Sequence, residues 1–269
     1  MKRLIIIFLT ILITLPVFAQ FIDLKQLKAA GIDINQYPPQ DLLNLGIGNC
    51  DIDIIKSAVA KGVDLNKQIE GAGIPYLPLC SAISAASEMI IPAGYSIRLM
   101  LISEGGPDVY SGRSISDLRR DYIEIIRFLL QKGAKASLPP EYDADNIPLL
   151  LASKYRDIEI VRLLMEFKAD PNSRDMMGNT ALHVLCQPVA VPYPYKNAPE
   201  IANLLISKGA RVQKNTDSDG GQNGATPLSL TKSMLNMIQS DAASDWRDLS
   251  FYNEVVSSLK SLIEIYSKM

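Results

Sequence analysis

The chain has 269 residues, with 27 basic and 29 acidic side chains, 48% apolar residues, one histidine and three cysteines. That near-balance argues against nucleic acid or anionic lipid as partner, since both reward a clustered basic surface. Three cysteines are few for a disulfide scaffold and odd in number. With a single histidine they cannot make a convincing site of three or four nitrogen and sulfur ligands, so no metal and no cofactor is expected.

The chain opens MKRLIIIFLTILITLPVFAQ. Lys2 and Arg3 are followed by an apolar run from Leu4 to Val17, and Val17 and Ala19 put small residues three and one before Gln20. This is the pattern of a secretory signal peptide over residues 1–19, cut after Ala19. The run is shorter than the roughly 20 residues a spanning helix needs. Position 20 is not cysteine, so no lipid anchor is expected. The mature chain, 20–269, is then expected in the periplasm or outside the cell, with no stable membrane anchor. Cys50, Cys80 and Cys186 sit among apolar or small neighbours and read as buried thiols. An oxidising compartment leaves one disulfide open.

A nine-residue cassette recurs along the rest: LKAAGIDIN (27–35), AVAKGVDLN (58–66), LLQKGAKAS (129–137), LMEFKADPN (164–172) and LISKGARVQ (205–213). Its glycine position falls at 31, 62, 133, 168 and 209, where 168 is lysine. Two of the four spacings lie near 33 and the others are one unit plus an insertion. Apolar pairs (Ile54/Ile55, Ile125/Ile126, Ile160/Val161, Ile201/Ala202) precede the later cassettes and continue four residues on, a helical stripe. A glycine after such a stripe ends a helix in the left-handed turn. Upstream lies a second helix signature with Leu43, Leu79, Leu149, Leu182 or Leu228 at its third position. Pro78, Pro148 and Pro227 fit the first helical turn, and Thr180 and Thr226 fit its cap.

The stretch ADPNSRDMMGNTALH (169–183), with Asn172, Asp175, Gly178, Thr180 and His183, resembles the ankyrin-repeat consensus. The resemblance implies an all-α solenoid of stacked helix pairs with β-turn or hairpin tips and inter-helix insertions. It reads as one domain over 20–269. A half-repeat at 21–36 is followed by repeats near 37–69, 70–137, 138–173, 174–213 and 214–269, the last a C-terminal cap. Insertions near 87–120, 188–198 and 234–251 all enter between paired helices, a placement that often builds a binding surface.

His183 replaces nothing catalytic: sister repeats carry Asn44, Cys80, Leu150 and Ser229 there, and a triad needs an orienting carboxylate as well as a base. Asp51, Asp53, Asp157 and Glu159 precede second helices, where negative charge favours the helix dipole. DSDGGQNG (217–224) lacks calcium-loop spacing, and GAGIPY (71–76) lacks the third glycine of a dinucleotide loop. No catalytic residue is expected.

Function is therefore expected through protein binding, by a monomer without enzyme activity. The contact set is Tyr142, Arg174, Asp175, Met176, Met177, Tyr193, Tyr195 and Trp246, from tips and insertions; adjacent exposed methionines make an adaptable apolar contact. The structural set is Asn172, Gly178, Thr180, His183, Thr226 and Pro227. Three alternatives stand beside a scaffold or accessory role for an envelope component. They are a periplasmic immunity protein against a secreted toxin, a hydrolase with its site in the 87–120 insertion, and a structural spacer.

Overall fold

The computed structural model of the chain describes residues 31, 33–68, 76–91, 112–139, 142–187, 193–216, 224–240 and 250–269. Residues 1–19, expected as a signal peptide, and Trp246 lie outside them. The described residues form two compact units, one within Met1–Met89 and Ser96–Lys135, the other within Ile90–Tyr95 and Ala136–Met269.

The first unit holds α1 (Pro39–Gly48), α2 (Ile52–Ala60), α3 (Pro78–Glu88) and α4 (Ile115–Gln131). The second holds α5 (Pro148–Lys154), α6 (Ile158–Glu166), α7 (Ala181–Leu185), α8 (Ala198–Ser207), α9 (Pro227–Gln239) and α10 (Tyr252–Tyr266). No strand occurs among the described residues. Starts follow local chemistry. Pro78, Pro148 and Pro227 open α3, α5 and α9, where the missing N–H has no partner to lose. Asp51 and Asp157 cap α2 and α6, accepting from Ile54 N at 3.1 Å and Ile160 N at 3.3 Å.

The apolar pairs form the core. Ile55, Ile125, Ile126, Ile160, Val161, Ile201 and Ala202 are fully buried, as are Leu43, Leu149 and Leu182 on the first helices. Each such leucine or isoleucine contributes about 1.5–3 kcal/mol relative to exposure. In the first unit Tyr122 is buried in α4 and its hydroxyl donates to Ile47 O at 2.9 Å.

Two insertion boundaries differ from expectation. Residues 115–120 belong to α4, because Ser114 accepts from Asp117 N at 3.1 Å and Leu118 and Tyr122 continue the buried stripe. Residues 234–239 complete α9, whose Ile238 is buried. The insertions are shorter because their flanks have apolar side chains at helical spacing.

Every cassette glycine has a left-handed backbone: φ is 71° at Gly31, 77° at Gly62, 100° at Gly133 and 93° at Gly209. Lys168 occupies the same position at φ 59° and is exposed. A side chain costs roughly 1–2 kcal/mol there, partly offset by the entropy glycine loses on folding. Lys168→Gly is therefore expected to stabilise by about 1 kcal/mol, read as a higher urea midpoint at unchanged slope; an unchanged or lower midpoint would contradict this.

The last cassette residue joins neighbouring repeats. Asn66 donates from Nδ2 to Gly133 O at 3.1 Å and accepts from Lys135 N at 2.8 Å. Asn172 does the same with Gly209 O at 2.9 Å and Arg211 N at 2.9 Å. Ser137, shorter, retains one bond, from Asp170 N at 2.7 Å. Asn66 of the 37–69 repeat thus reaches the cassette of the 70–137 repeat, which carries the long insertion.

Candidate functional site

The Asp175–Asn179 turn carries Met176, the most exposed large apolar side chain among the described residues, with the exposed Met177 beside it. Asp175 organises it: one carboxylate oxygen accepts from Met177 N at 2.9 Å and Asn179 N at 2.8 Å, and the other from Asn179 Nδ2 at 3.1 Å. Asp175 N donates to Asn179 O at 3.0 Å and Gly178 N to Asp175 O at 2.8 Å, closing the turn. The flanks are tied as well. Met176 N donates to Tyr142 O at 2.9 Å, and Thr216 N to Met177 O at 3.0 Å. Every backbone N–H of the turn is thus bonded, and Met176 and Met177 project at 62% and 50% exposure.

Of the expected contact residues, Met176 and Met177 are fully presented, while Tyr142, Arg174 and Tyr193 are half-buried. The guanidinium of Arg174 bonds Lys214 O at 3.1 Å and the side-chain oxygen of Gln213. Two placements differ from expectation. Asp175 is buried, since its carboxylate is consumed in making the turn. Tyr195 is 2% exposed. It is drawn inside because a buried cation needs its ring.

That cation is Arg156, between α5 and α6, 1% exposed and at φ 55°. Nη1 donates to Lys154 O at 2.7 Å and Nη2 to Gln187 O at 3.0 Å, while Nε has no hydrogen-bond partner. The Cζ atom lies 4.1 Å from the Tyr195 ring centroid and 5.6 Å from that of Tyr193. Burial lowers the guanidinium pKa, and Tyr195 and Tyr193 oppose it. Tyr195 also stacks on Phe251 with centroids 5.9 Å apart, and Tyr155 meets Tyr193 at 5.4 Å. Tyr193 and Tyr195, from the described end of the 188–198 insertion, thus pack on Tyr155, Arg156 and Phe251. Sequence reasoning missed Arg156. A signal existed: it stands just before the capping Asp157, as Cys50 (φ 53°) stands before Asp51. Both carbonyls receive a donor from the end of an insertion, Arg113 Nη1 on Cys50 O at 3.1 Å and Asn197 Nδ2 on Arg156 O at 3.1 Å.

His183 is a capping group. Its Nδ1 accepts from Thr180 N at 3.1 Å and contacts Thr180 Oγ1 at 2.9 Å, so Nε2 carries the proton and donates to Ala225 O at 3.0 Å. Thr226 and Ser229 make the equivalent reciprocal box at α9. The His183 ring is fully buried, and burial, with the charge of Arg174 helping, lowers its pKa against the pull of the Ala225 carbonyl and Asp175. Below pH 6.5, the ordinary value, the unfolded chain takes up a proton that the folded ring refuses. Stability present above that pH is lost as the pH falls, by at most about 1.4 kcal/mol per pH unit. His183→Gln, which retains an acceptor for Thr180 N, is expected to flatten the urea midpoint between pH 7 and 5.5. A gradient that persists in the variant would assign it elsewhere.

The cysteines are free and buried, and burial pushes the Cys186 thiol up to about 12. Among the described residues no group of three His, Cys, Asp or Glu could hold a metal, and no helix is long and apolar enough to cross a membrane. Residues 92–111, most of the insertion considered for a hydrolase site, lie outside the described residues.

Residues 116–216 match the family model for ankyrin repeats, in three copies. The helix pairs, cassette turns and tip are those of the all-α ankyrin solenoid. Among curated proteins, the mouse transient receptor potential cation channel subfamily V member 5 is 32% identical over 164 residues, 54% of this chain and 21% of its own length. An ankyrin repeat protein of fowlpox virus is 31% identical over 127 residues, 42% of this chain and 22% of its own. The chain thus spans about a fifth of the length of these relatives. Among solved structures, the human ASB11 ankyrin repeat domain superposes at a TM-score of 0.40 with 19% identity, covering 89% of this chain and 91% of that one. One chain of the solved complex of a predatory endopeptidase from Bdellovibrio bacteriovorus with an immunity protein superposes at 0.37 with 20% identity, covering 81% of this chain and 96% of that one.

Proposed function

We propose that this ankyrin-repeat protein is an exported protein-binding module, a scaffold or accessory factor of an envelope component, with no chemistry of its own. Ankyrin repeats are a protein-interaction fold. The observation that carries the reading is the turn at Asp175–Asn179, whose backbone N–H groups are all bonded while Met176 and Met177 stand exposed. Two thioethers on a pre-ordered turn offer a partner adaptable apolar surface at little ordering cost. Export rests on residues 1–19, and the mature chain's 25 basic and 29 acidic residues suit a partner with a basic face.

Affinity capture tests the proposal. The chain 20–269 and a Met176→Ala/Met177→Ala/Tyr193→Ala variant are incubated with envelope extract of the native cell. One protein retained by the first and lost by the second is the expected result. The same set on both, or nothing on either, would end the reading. Should the retained protein be a secreted toxin that the chain neutralises, the module is an immunity protein.

A further inference from the structure

Among the described residues the sulfur atoms divide sharply by access. Cys50, Cys80 and Cys186 are buried, and so is Met89. Cys186 also lacks thiolate character, its pKa being pushed to about 12 by burial, and the thiolate is the reactive form of cysteine. Met165 and Met234 are half-buried. Met237 and Met269 are exposed singly, at 46% and 55%. Met176 and Met177 are the adjacent exposed pair, and they sit on the most heavily bonded turn described above.

An oxidant in solution therefore meets thioethers before thiols, the reverse of the usual order. We propose that Met176 and Met177 are a reversible two-electron oxidation site, and that their conversion to sulfoxides switches the tip from partner-binding to non-binding. The second half rests on the protein-binding reading above. With hypochlorous acid, a sulfur lone pair attacks chlorine, the O–Cl bond breaks and hydroxide leaves; water then adds to the chlorosulfonium sulfur as chloride and two protons depart. Sulfur is oxidised by two electrons and chlorine is reduced by two. A dithiol reductase would supply two electrons and two protons to return the thioether and release water. Sulfoxide formation replaces an apolar surface with a polar, chiral one. The turn need not respond, because its bonds run through Asp175, Gly178, Asn179, Tyr142 and Thr216 and none passes through a methionine side chain.

The experiment titrates the chain 20–269 with one to four equivalents of hypochlorous acid. Peptide-resolved mass spectrometry, thiol alkylation after unfolding, thermal melts and envelope-extract capture follow at each point. A Met176→Leu/Met177→Leu variant runs in parallel. We expect sulfoxide at 176 and 177 before any change at Met89 or the three thiols, with Tm within about 2 °C of the untreated chain. Capture should fall about tenfold or more on oxidation of the wild type and hold in the leucine variant. Thiols consumed first, or a melt that collapses as 176 and 177 oxidise, would overturn the site. Equal capture before and after oxidation would overturn the switch and leave the binding reading standing. Nothing captured by the untreated chain would remove both.

Discussion

Replacing Tyr195 with leucine is expected to cost about 4 kcal/mol, and roughly half of that cost should vanish when Arg156 is already methionine. The Tyr195 ring lies 4.1 Å from the Arg156 Cζ and stacks on Phe251. Losing aromatic volume from a core costs about 2 kcal/mol for a change of this size. The second part is electrostatic. Removing a partner from a buried charge leaves desolvation uncompensated, and a desolvated cation–π contact is worth about 2 kcal/mol. Arg156→Met alone should be nearly neutral. It gives up two bonds, to Lys154 O and Gln187 O, and recovers the burial cost of a charge whose Nε has no partner. Urea unfolding of the four proteins gives the coupling directly. A coupling below about 0.5 kcal/mol would mean that Tyr195 is only packing and that the cation is compensated otherwise.

Gly178→Ala is expected to destabilise by about 3 kcal/mol, against about 1 kcal/mol for Gly133→Ala, though both glycines are left-handed. The difference is space. A Cβ at Gly133 meets nothing within 4 Å, whereas at Gly178 it would lie 2.7 Å from the Thr216 nitrogen and 2.9 Å from its Oγ1. Thr216 N is the donor to Met177 O, so the new atom pushes away the bond that ties the tip to the next strand of chain. Backbone strain, one lost hydrogen bond and the displaced neighbour then add. Paired chemical denaturation of the two variants gives the comparison, and equal costs would show that the tip shifts without resistance.

These two sites mark the boundary of what the linear chain reveals. The helix pairs were legible because their signals are local. An apolar pair recurs before each cassette, proline opens three first helices, aspartate caps two second helices, and glycine closes the cassette. His183 was legible too, because its partner Thr180 is three residues away and its sister positions vary. The clasp of Asn66 and Asn172 was not legible, because the partners lie 67 and 37 residues away at Gly133 and Gly209. The exposure of Met176 and Met177 followed from their place between Asp175 and Gly178, whose side chain and backbone are committed to the turn.

Tyr195 and Arg156 were not legible, because their energetics depend on residues 39 positions apart in sequence. Periodicity marks which side chains face inward along one helix. It carries no information on whether an insertion folds back onto the turn of the preceding repeat. A tyrosine in a proline-rich loop and an arginine beside a capping aspartate each look like surface residues. Their burial becomes favourable when the ring offsets the charge and the two carbonyls accept from the guanidinium. The repeat and its turns are thus written locally in the chain, by helix periodicity, caps and left-handed glycines. Which aromatic is core and which surface is decided by long-range desolvation, which exists once the repeats have stacked.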